Sequence, residues 1–217
     1  MKYNPKQLQI IGVAEKLFSE KGFSGTSIRD ISQEADINVS MISYYFGSKE
    51  KLIEALFKVR SEDFINRLEE LMVNLDLSPI QKVNLMIDGV IDRLVDTRCF
   101  HNIVLREQLS GNNRTPIISE LLEGLKTNNL KAIQKLISEG QQTGTFRNDI
   151  DVFMLSTAMF GTINQALSTQ AFYKKFHDLH ALSQQDLENS LKQKLSIHLR
   201  KLFMVNLIEE LNEVESS

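Results

Sequence analysis

Between Thr26 and Leu52 the chain reads TSIRDISQEADINVSMISYYFGSKEKL, and no other stretch restricts the fold as much. Ile28, Ile31 and Ala35 form the apolar face of one short helix, and Ile42 and Phe46 form that of another. Asp36-Ile37-Asn38 is the turn between them, and Gly47-Ser48-Lys49-Glu50 opens a further helix with Ser48 as its cap. Helices this short are marginal in water on their own, so the pattern demands a longer partner. That partner lies just upstream. Asn4-Pro5 is a helix start with Pro in the first turn. Leu8, Ile11, Ala14, Leu17 and Phe18 follow at helical spacing, and Gly22 suits the closing position.

The composition agrees with an all-α chain. Of 217 residues only three are Pro and ten are Gly, Trp is absent, and 42% are hydrophobic against 24% charged. These are ordinary values for a globular protein, with little material for the many turns of a β fold. The expected architecture has about nine helices. A three-helix head of helix-turn-helix type over 1–50 precedes a larger helical domain over 51–217.

Charge and cysteine content narrow the functional class. The first 60 residues carry nine Lys or Arg against seven Asp or Glu, whereas the remainder carries 16 against 21. A slightly basic head on an acidic body suits contact with phosphates at one end. The single cysteine, Cys99, excludes an intramolecular disulfide framework. The uncharged run from Val152 to Tyr173 is long enough to raise a membrane span. Its Ser156, Thr157, Thr162, Asn164, Gln165, Ser168, Thr169 and Gln170 argue instead for a helix buried in protein. No signal peptide is recognisable in MKYNPKQ, and the expected compartment is the cytoplasm, with no membrane partner.

The head has the chemistry of a DNA reader. Asn38 caps the third helix, and Ile37, Ile42 and Phe46 are expected to lock it inward. Val39, Ser40, Met41, Ser43, Tyr44 and Tyr45 then form the outer face. Small and apolar side chains allow close approach to base edges and thymine methyls, while the two tyrosine hydroxyls reach for the flanking backbone. Thr26 or Ser27 caps the second helix, and the Thr26 hydroxyl at that N-terminus is a candidate phosphate contact. Lys49, at the start of the fourth helix, is another.

These residues resemble the tetracycline-repressor (TetR) family of transcription regulators. Phe18, Gly22 and Phe23 match the end of that family's first helix. Thr26, Ser27, Ile28, Asp30 and Ile31 match its second. Tyr44, Tyr45, Phe46, Ser48, Lys49, Glu50 and Leu52 match its terminal signature. Asp36 stands where members usually carry Gly, and Ser43 replaces a common Tyr. The resemblance implies a ligand-responsive transcription regulator, most often a repressor, that binds a palindromic operator in double-stranded DNA as a homodimer. Half-sites would lie about one turn (~34 Å) apart or a multiple of it.

In the body, Ser48 to about Leu75 reads as one long helix, followed by helices over 80–95, 100–109 and from Pro116 through Ile137. Ser110 to Arg114 is a loop. Gly144-Thr145-Phe146-Arg147 with Asp149 and Asp151 turns the chain into Val152–Leu167, and the last helix runs from about Ser183 to Leu211. Val152–Leu167 is apolar on nearly every face and needs cover on all sides. The resemblance implies that the last two helices form a four-helix bundle across a twofold axis. Met159, Leu191, Leu195 and Leu202 are the candidate interface; a monomer with a large core is the alternative. Met86, Phe100, Ile103, Leu125, Phe153 and Phe160, with Cys99 and Met159, are candidate pocket residues for a small apolar or amphipathic ligand.

No cofactor or metal is implied. His177 and His180 are three residues apart but lack convergent partners. The chain has no H-E-x-x-H motif, phosphate-binding glycine loop or nucleophile elbow, so an enzyme is not expected. The remaining alternative is a protein-interaction module that keeps the fold without touching DNA.

Overall fold

The computed structural model describes residues 3–111 and 115–208, apart from the side chains at 63 and 64. The helices are α1 (Pro5–Lys21), α2 (Ile28–Glu34), α3 (Val39–Phe46), α4 (Lys49–Val73) and α5 (Pro79–Asp96). Then follow α6 (Arg98–Leu109), α7 (Pro116–Gln142), α8 (Val152–Ser168), α9 (Gln170–Phe176) and α10 (Gln184–Leu207). No strand occurs among the described residues, so the all-α expectation holds. Ten helices among the described residues stand against the expected nine or so because the uncharged run breaks at Thr169, where φ is −105° and ψ 16°. The Thr169 hydroxyl donates to the Gln165 carbonyl at 2.7 Å, a bond that competes with continuation of the helix. Of the expected loop at 110–114, Asn112, Asn113 and Arg114 lie outside the described residues, as does the expected helix end at Leu211.

The chain divides into two compact units. The first takes residues up to Ile65 together with Thr97–Thr127. Its core joins Ile10, Ile11, Ala14, Leu17 and Phe18 of α1 to Ile31 of α2, Ile42 of α3, and Leu52, Ile53 and Leu56 of α4. Phe100 and Ile103 of α6, with Ile118 and Leu122 of α7, complete it. Phe57 and Phe100 meet edge-on, with ring centroids 5.0 Å apart, a favoured aromatic geometry. Glu15, buried on α1, accepts from Arg60 Nε of α4 with both carboxylate oxygens, at 3.1 and 3.0 Å. A buried carboxylate needs such a partner, and the pair ties α4 to α1.

The second unit takes Asn66–Asp96 and the chain from Asn128 onward, so that α4 and α7 contribute to both. Here α10 buries Leu187, Leu191, Leu195, Leu199, Phe203 and Leu207, one residue every four along a single stripe. Beside that stripe runs a polar ladder to α5. Lys192 Nζ lies 2.8 Å from Asp92 and 2.9 Å from Asp96, Ser196 donates to Asp88 at 2.6 Å, and Arg200 pairs with Asp88. Burial works against the Lys192 charge, yet the hydrogen bonds to Asp92 and Asp96 hold its pKa above the ordinary lysine value. Lys82 of α5 is wholly buried and donates to Glu139 of α7 at 2.6 Å and to the Met72 carbonyl in the last turn of α4 at 2.9 Å.

Gly140, near the end of α7, lies against the ring of Phe146, and a Cβ there would stand 1.9 Å from a ring carbon. Gly140→Ala therefore forces that ring off its site. The expected loss is about 1–3 kcal/mol of stability, read as a lower urea midpoint in equilibrium unfolding.

Candidate nucleic-acid interface

Local hydrogen bonding shapes the helix-turn-helix. Ser27 caps α2: its hydroxyl accepts from the Asp30 N–H at 3.1 Å, and the Asp30 carboxylate accepts from the Ser27 N–H at 2.7 Å. This reciprocal box satisfies two otherwise orphaned donors. The Ser27 backbone N–H, and then its hydroxyl, hold the Asp30 carboxyl below the usual carboxylate range. Past α2, Asp36 adopts φ 49°, a left-handed conformation that Asp tolerates better than most side chains. The Ile37 N–H returns to the Ser32 carbonyl at 3.0 Å, and Asn38 caps α3 by accepting from the Ser40 N–H at 2.9 Å.

α3 is eight residues long, and Ile42 is its one buried side chain. Ile37, Tyr45 and Phe46 rest on the edge of the core. Asn38, Val39, Ser40, Ser43 and Tyr44 are exposed, and Met41 is half-buried. Tyr44 stands 83% exposed, edge-on to Tyr45 with centroids 5.1 Å apart. The outer face of α3 is thus small and uncharged, with one aromatic projecting at its C-terminal end. It can lie close to a groove floor without burying an unpaired charge.

Two candidates at the rim are placed otherwise than expected. Thr26 is only 1% exposed, and its hydroxyl donates to the carbonyls of Gly22 at 2.9 Å and Leu17 at 3.2 Å. Its side chain fastens the α1–α2 connection; the exposed cap is Ser27. Lys49 is half-buried, and its ammonium donates to the carbonyls of Phe23 and Thr26, both at 3.0 Å. It also stands 4.2 Å from the centroid of the Phe23 ring, a cation–π distance. Of the three N–H bonds of an ammonium, two are directed at carbonyls. Beside it, the backbone N–H of Glu50 and the Ser48 hydroxyl hold the Glu50 carboxyl below its ordinary value, as suits a helix N-terminus. Arg29, exposed on α2, was not among the sequence candidates. Its charge one residue before the capping Asp30 was the available signal.

The body residues are rearranged more strongly. Met159, Leu191 and Leu195 are buried within the chain's own second unit. The exposed apolar groups on α8 and α10 are instead Phe153, Met154, Ile197 and Val205, each more than half exposed. Leu202 is half-buried and lines a surface groove of about 410 Å³ with Arg147, Asp149, Asp151, Met154 and Asn206. Phe153 is 63% exposed. Phe100, Ile103 and Leu125 belong to the core cluster of the first unit, while Met86 is buried and Phe160 half-buried in the second. Cys99 is exposed.

Two family models cover most of the chain. Residues 10–56 match the bacterial regulatory proteins of the tetR family, and residues 57–193 match the C-terminal region of YsiA-like proteins. The chain belongs to the TetR family. It is a ligand-responsive, DNA-binding transcriptional regulator. The fatty acid metabolism regulator protein of Bacillus subtilis is 29% identical over 188 residues, 85% of this chain and 93% of that protein. The structure of the Bacillus subtilis transcriptional regulator FadR in complex with stearoyl-CoA is 25% identical. It covers 87% of this chain and 97% of its own, with a TM-score of 0.62. The fatty acid degradation regulator FadR of Bacillus halodurans shares the fold at 20% identity, with a TM-score of 0.69 over 92% of this chain and 97% of its own.

In a TetR-family head built this way, side chains outside the core can be cut back without unfolding it. Tyr44→Ala is expected to weaken operator binding about tenfold, the scale of one lost polar contact to DNA, with the thermal midpoint unchanged. Electrophoretic mobility shift and differential scanning calorimetry check the two halves. Asp36→Gly relieves the left-handed turn and is expected to leave stability within about 1 kcal/mol of the parent, either equal or higher, by urea unfolding.

Proposed function

We propose that this regulator is a repressor that binds a palindromic operator as a homodimer and is released by a long-chain acyl-CoA. Residues 1–50 read DNA, and 51–217 sense the ligand and dimerise. The observation that carries the dimer is the apolar outer side of α8 and α10. Phe153, Met154, Ile197 and Val205 face outward on the same two helices whose other faces form the core of the second unit. Exposed apolar groups gathered on two adjacent helices favour association, and a self-complementary twofold contact is the commonest closed solution. Two heads related by that axis would meet two half-sites of a palindrome.

In this reading Val39, Ser40, Met41, Ser43 and Tyr44 meet bases or the flanking backbone, with Tyr45 at the edge. Ser27, Asn38, Arg29 and the remaining N–H of Lys49 serve the phosphates. The ligand class is supported by the similarity to a fatty acid metabolism regulator along 85% of this chain and to a FadR whose structure holds stearoyl-CoA. Release requires only that acyl-CoA bind one arrangement of the heads more tightly than the DNA-bound one. No helix among the described residues is long and apolar enough to cross a membrane, and the cytoplasm, where the chromosome lies, is the proposed compartment.

Selection from random duplex DNA is expected to return a palindrome. Binding should weaken with salt by a slope of about −0.9 in log–log form for each phosphate neutralised. Stearoyl-CoA added to the complex should dissociate it, whereas coenzyme A alone should not; a complex indifferent to stearoyl-CoA rejects the ligand class. For the dimer, Ile197→Glu or Val205→Glu should yield monomers by sedimentation at concentrations where the parent is dimeric. Leu195→Glu should instead destabilise the fold by about 3 kcal/mol or more, for a charge forced into the core, read as a lower unfolding midpoint.

A further inference from the structure

The peptide groups of Phe23 are held from two sides. Its N–H donates to Oε1 of Glu107 on α6 at 3.3 Å, and its carbonyl accepts from Lys49 Nζ at 3.0 Å. Phe23 and Glu107 are both buried. The neighbouring Arg106 donates to the Glu20 carbonyl at 2.8 Å and approaches that of Ser19 at 3.4 Å. Those carbonyls lie in the last turn of α1, where helix geometry leaves them without partners and a cation is favoured. Gly22 between these contacts has φ 78° and ψ 167°, a conformation closed to other residues. A Cβ there would come within 3.4 Å of Arg106. The side chains of α6 thus clasp the α1–α2 connection closely. That connection in turn supplies both carbonyls that hold the Lys49 ammonium.

We propose that Glu107 is a positioning residue for DNA reading. It fixes the Phe23 peptide, and that peptide fixes the Lys49 charge three residues beyond the end of α3. The relay runs from the Glu107 carboxylate to the Phe23 N–H, through the residue to its carbonyl, and on to the Lys49 ammonium. Two N–H bonds of Lys49 are aimed by the carbonyls of Phe23 and Thr26, and in this reading the third serves a phosphate. The proposal rests on the DNA-reading role of α3 and the start of α4. It requires an acceptor at position 107 and no charge there, because what is held is a neutral N–H.

The test is a double-mutant cycle with operator affinity as its readout, on the full-length protein and the duplex recovered by selection. Lys49→Ala is expected to weaken binding about tenfold, the loss of one charge-assisted contact. Glu107→Ala should weaken it about three- to tenfold, and Glu107→Gln, whose amide oxygen still accepts, should stay within about twofold of the parent. In the Lys49→Ala background, Glu107→Ala should add less than about twofold, since coupled residues do not contribute independently. Losses that multiply in the double variant, or a Glu107→Ala protein with parental affinity, would overturn the relay.

A second arm needs neither DNA nor a Glu107 variant. Amide hydrogen exchange of residues 22–27 should quicken about tenfold in Lys49→Ala while exchange in the interior of α1 is unchanged, as expected for a local opening. Unaltered exchange at Phe23 would also overturn the proposal. If selection returned no duplex, DNA reading itself would fail, and the exchange measurement would still decide whether Lys49 and Phe23 are coupled. Should Glu107→Ala not fold, Glu107→Met, which keeps the side-chain length and lacks the oxygen acceptor, takes its place in the cycle with the same expected loss.

Discussion

Helices of seven and eight residues do not persist alone in water, and α2 and α3 have those lengths. Their existence depends on the insertion of Ile31 and Ile42 into a core that α1, α4, α6 and α7 have already built. Everything on the reading face follows from that dependence. Ile42 is the only fully buried side chain of α3, so one anchor and a partly buried rim decide which way the helix is turned. The remaining positions can carry small and aromatic groups for an outside partner. The head is therefore exposed where it must be read from outside and rigid only through what lies behind it.

Polar groups do the fine placement that apolar burial cannot. Hydrophobic contact is non-directional, and a short helix resting on a greasy surface can slide or rotate. Glu15 with Arg60 ties α4 to α1, Thr26 fastens the chain leaving α1, and Lys49 holds two carbonyls of the α1–α2 connection. Each is a directional bond between elements that otherwise touch through side-chain carbon. The second unit uses the same division of labour. The Leu and Phe stripe of α10 supplies cohesion, while the Asp88, Asp92 and Asp96 ladder to Lys192, Ser196 and Arg200 sets the register against α5.

Much of the head was legible in the chain because its signals are local. Asn4-Pro5, Ser27 with Asp30, and Asn38 are caps whose geometry involves residues no more than three apart; the first and last fall where the sequence places them, and of Thr26 and Ser27 the structure selects Ser27. Asp36 at the turn carries the positive φ that its position demands. Other placements depend on contacts from farther along the chain. Thr26 sits beside a helix start, and sequence alone allows its hydroxyl to face out. The carbonyls of Leu17 and Gly22 that capture it come from a helix that ends before it. Met159, Leu191 and Leu195 lie on genuine apolar stripes, but α8 and α10 each carry two apolar sides. Periodicity groups residues onto a face without saying which face the neighbours cover.

Length, caps and the spacing of apolar residues determined by themselves that this is an all-helical chain with a helix-turn-helix near its start, a turn at Asp36 and a long uncharged helix after Asp151. These are consequences of bonds and contacts within a few residues, which any copy of the segment would repeat. Only the tertiary structure decided that Phe153 and Val205 stand outside while Met159 and Leu195 stand inside. It alone decided, too, that Glu107 reaches the Phe23 N–H from 84 residues along the chain. Such choices depend on which surfaces are left over once every helix has found its partner, and that competition has no trace in any single stretch of sequence.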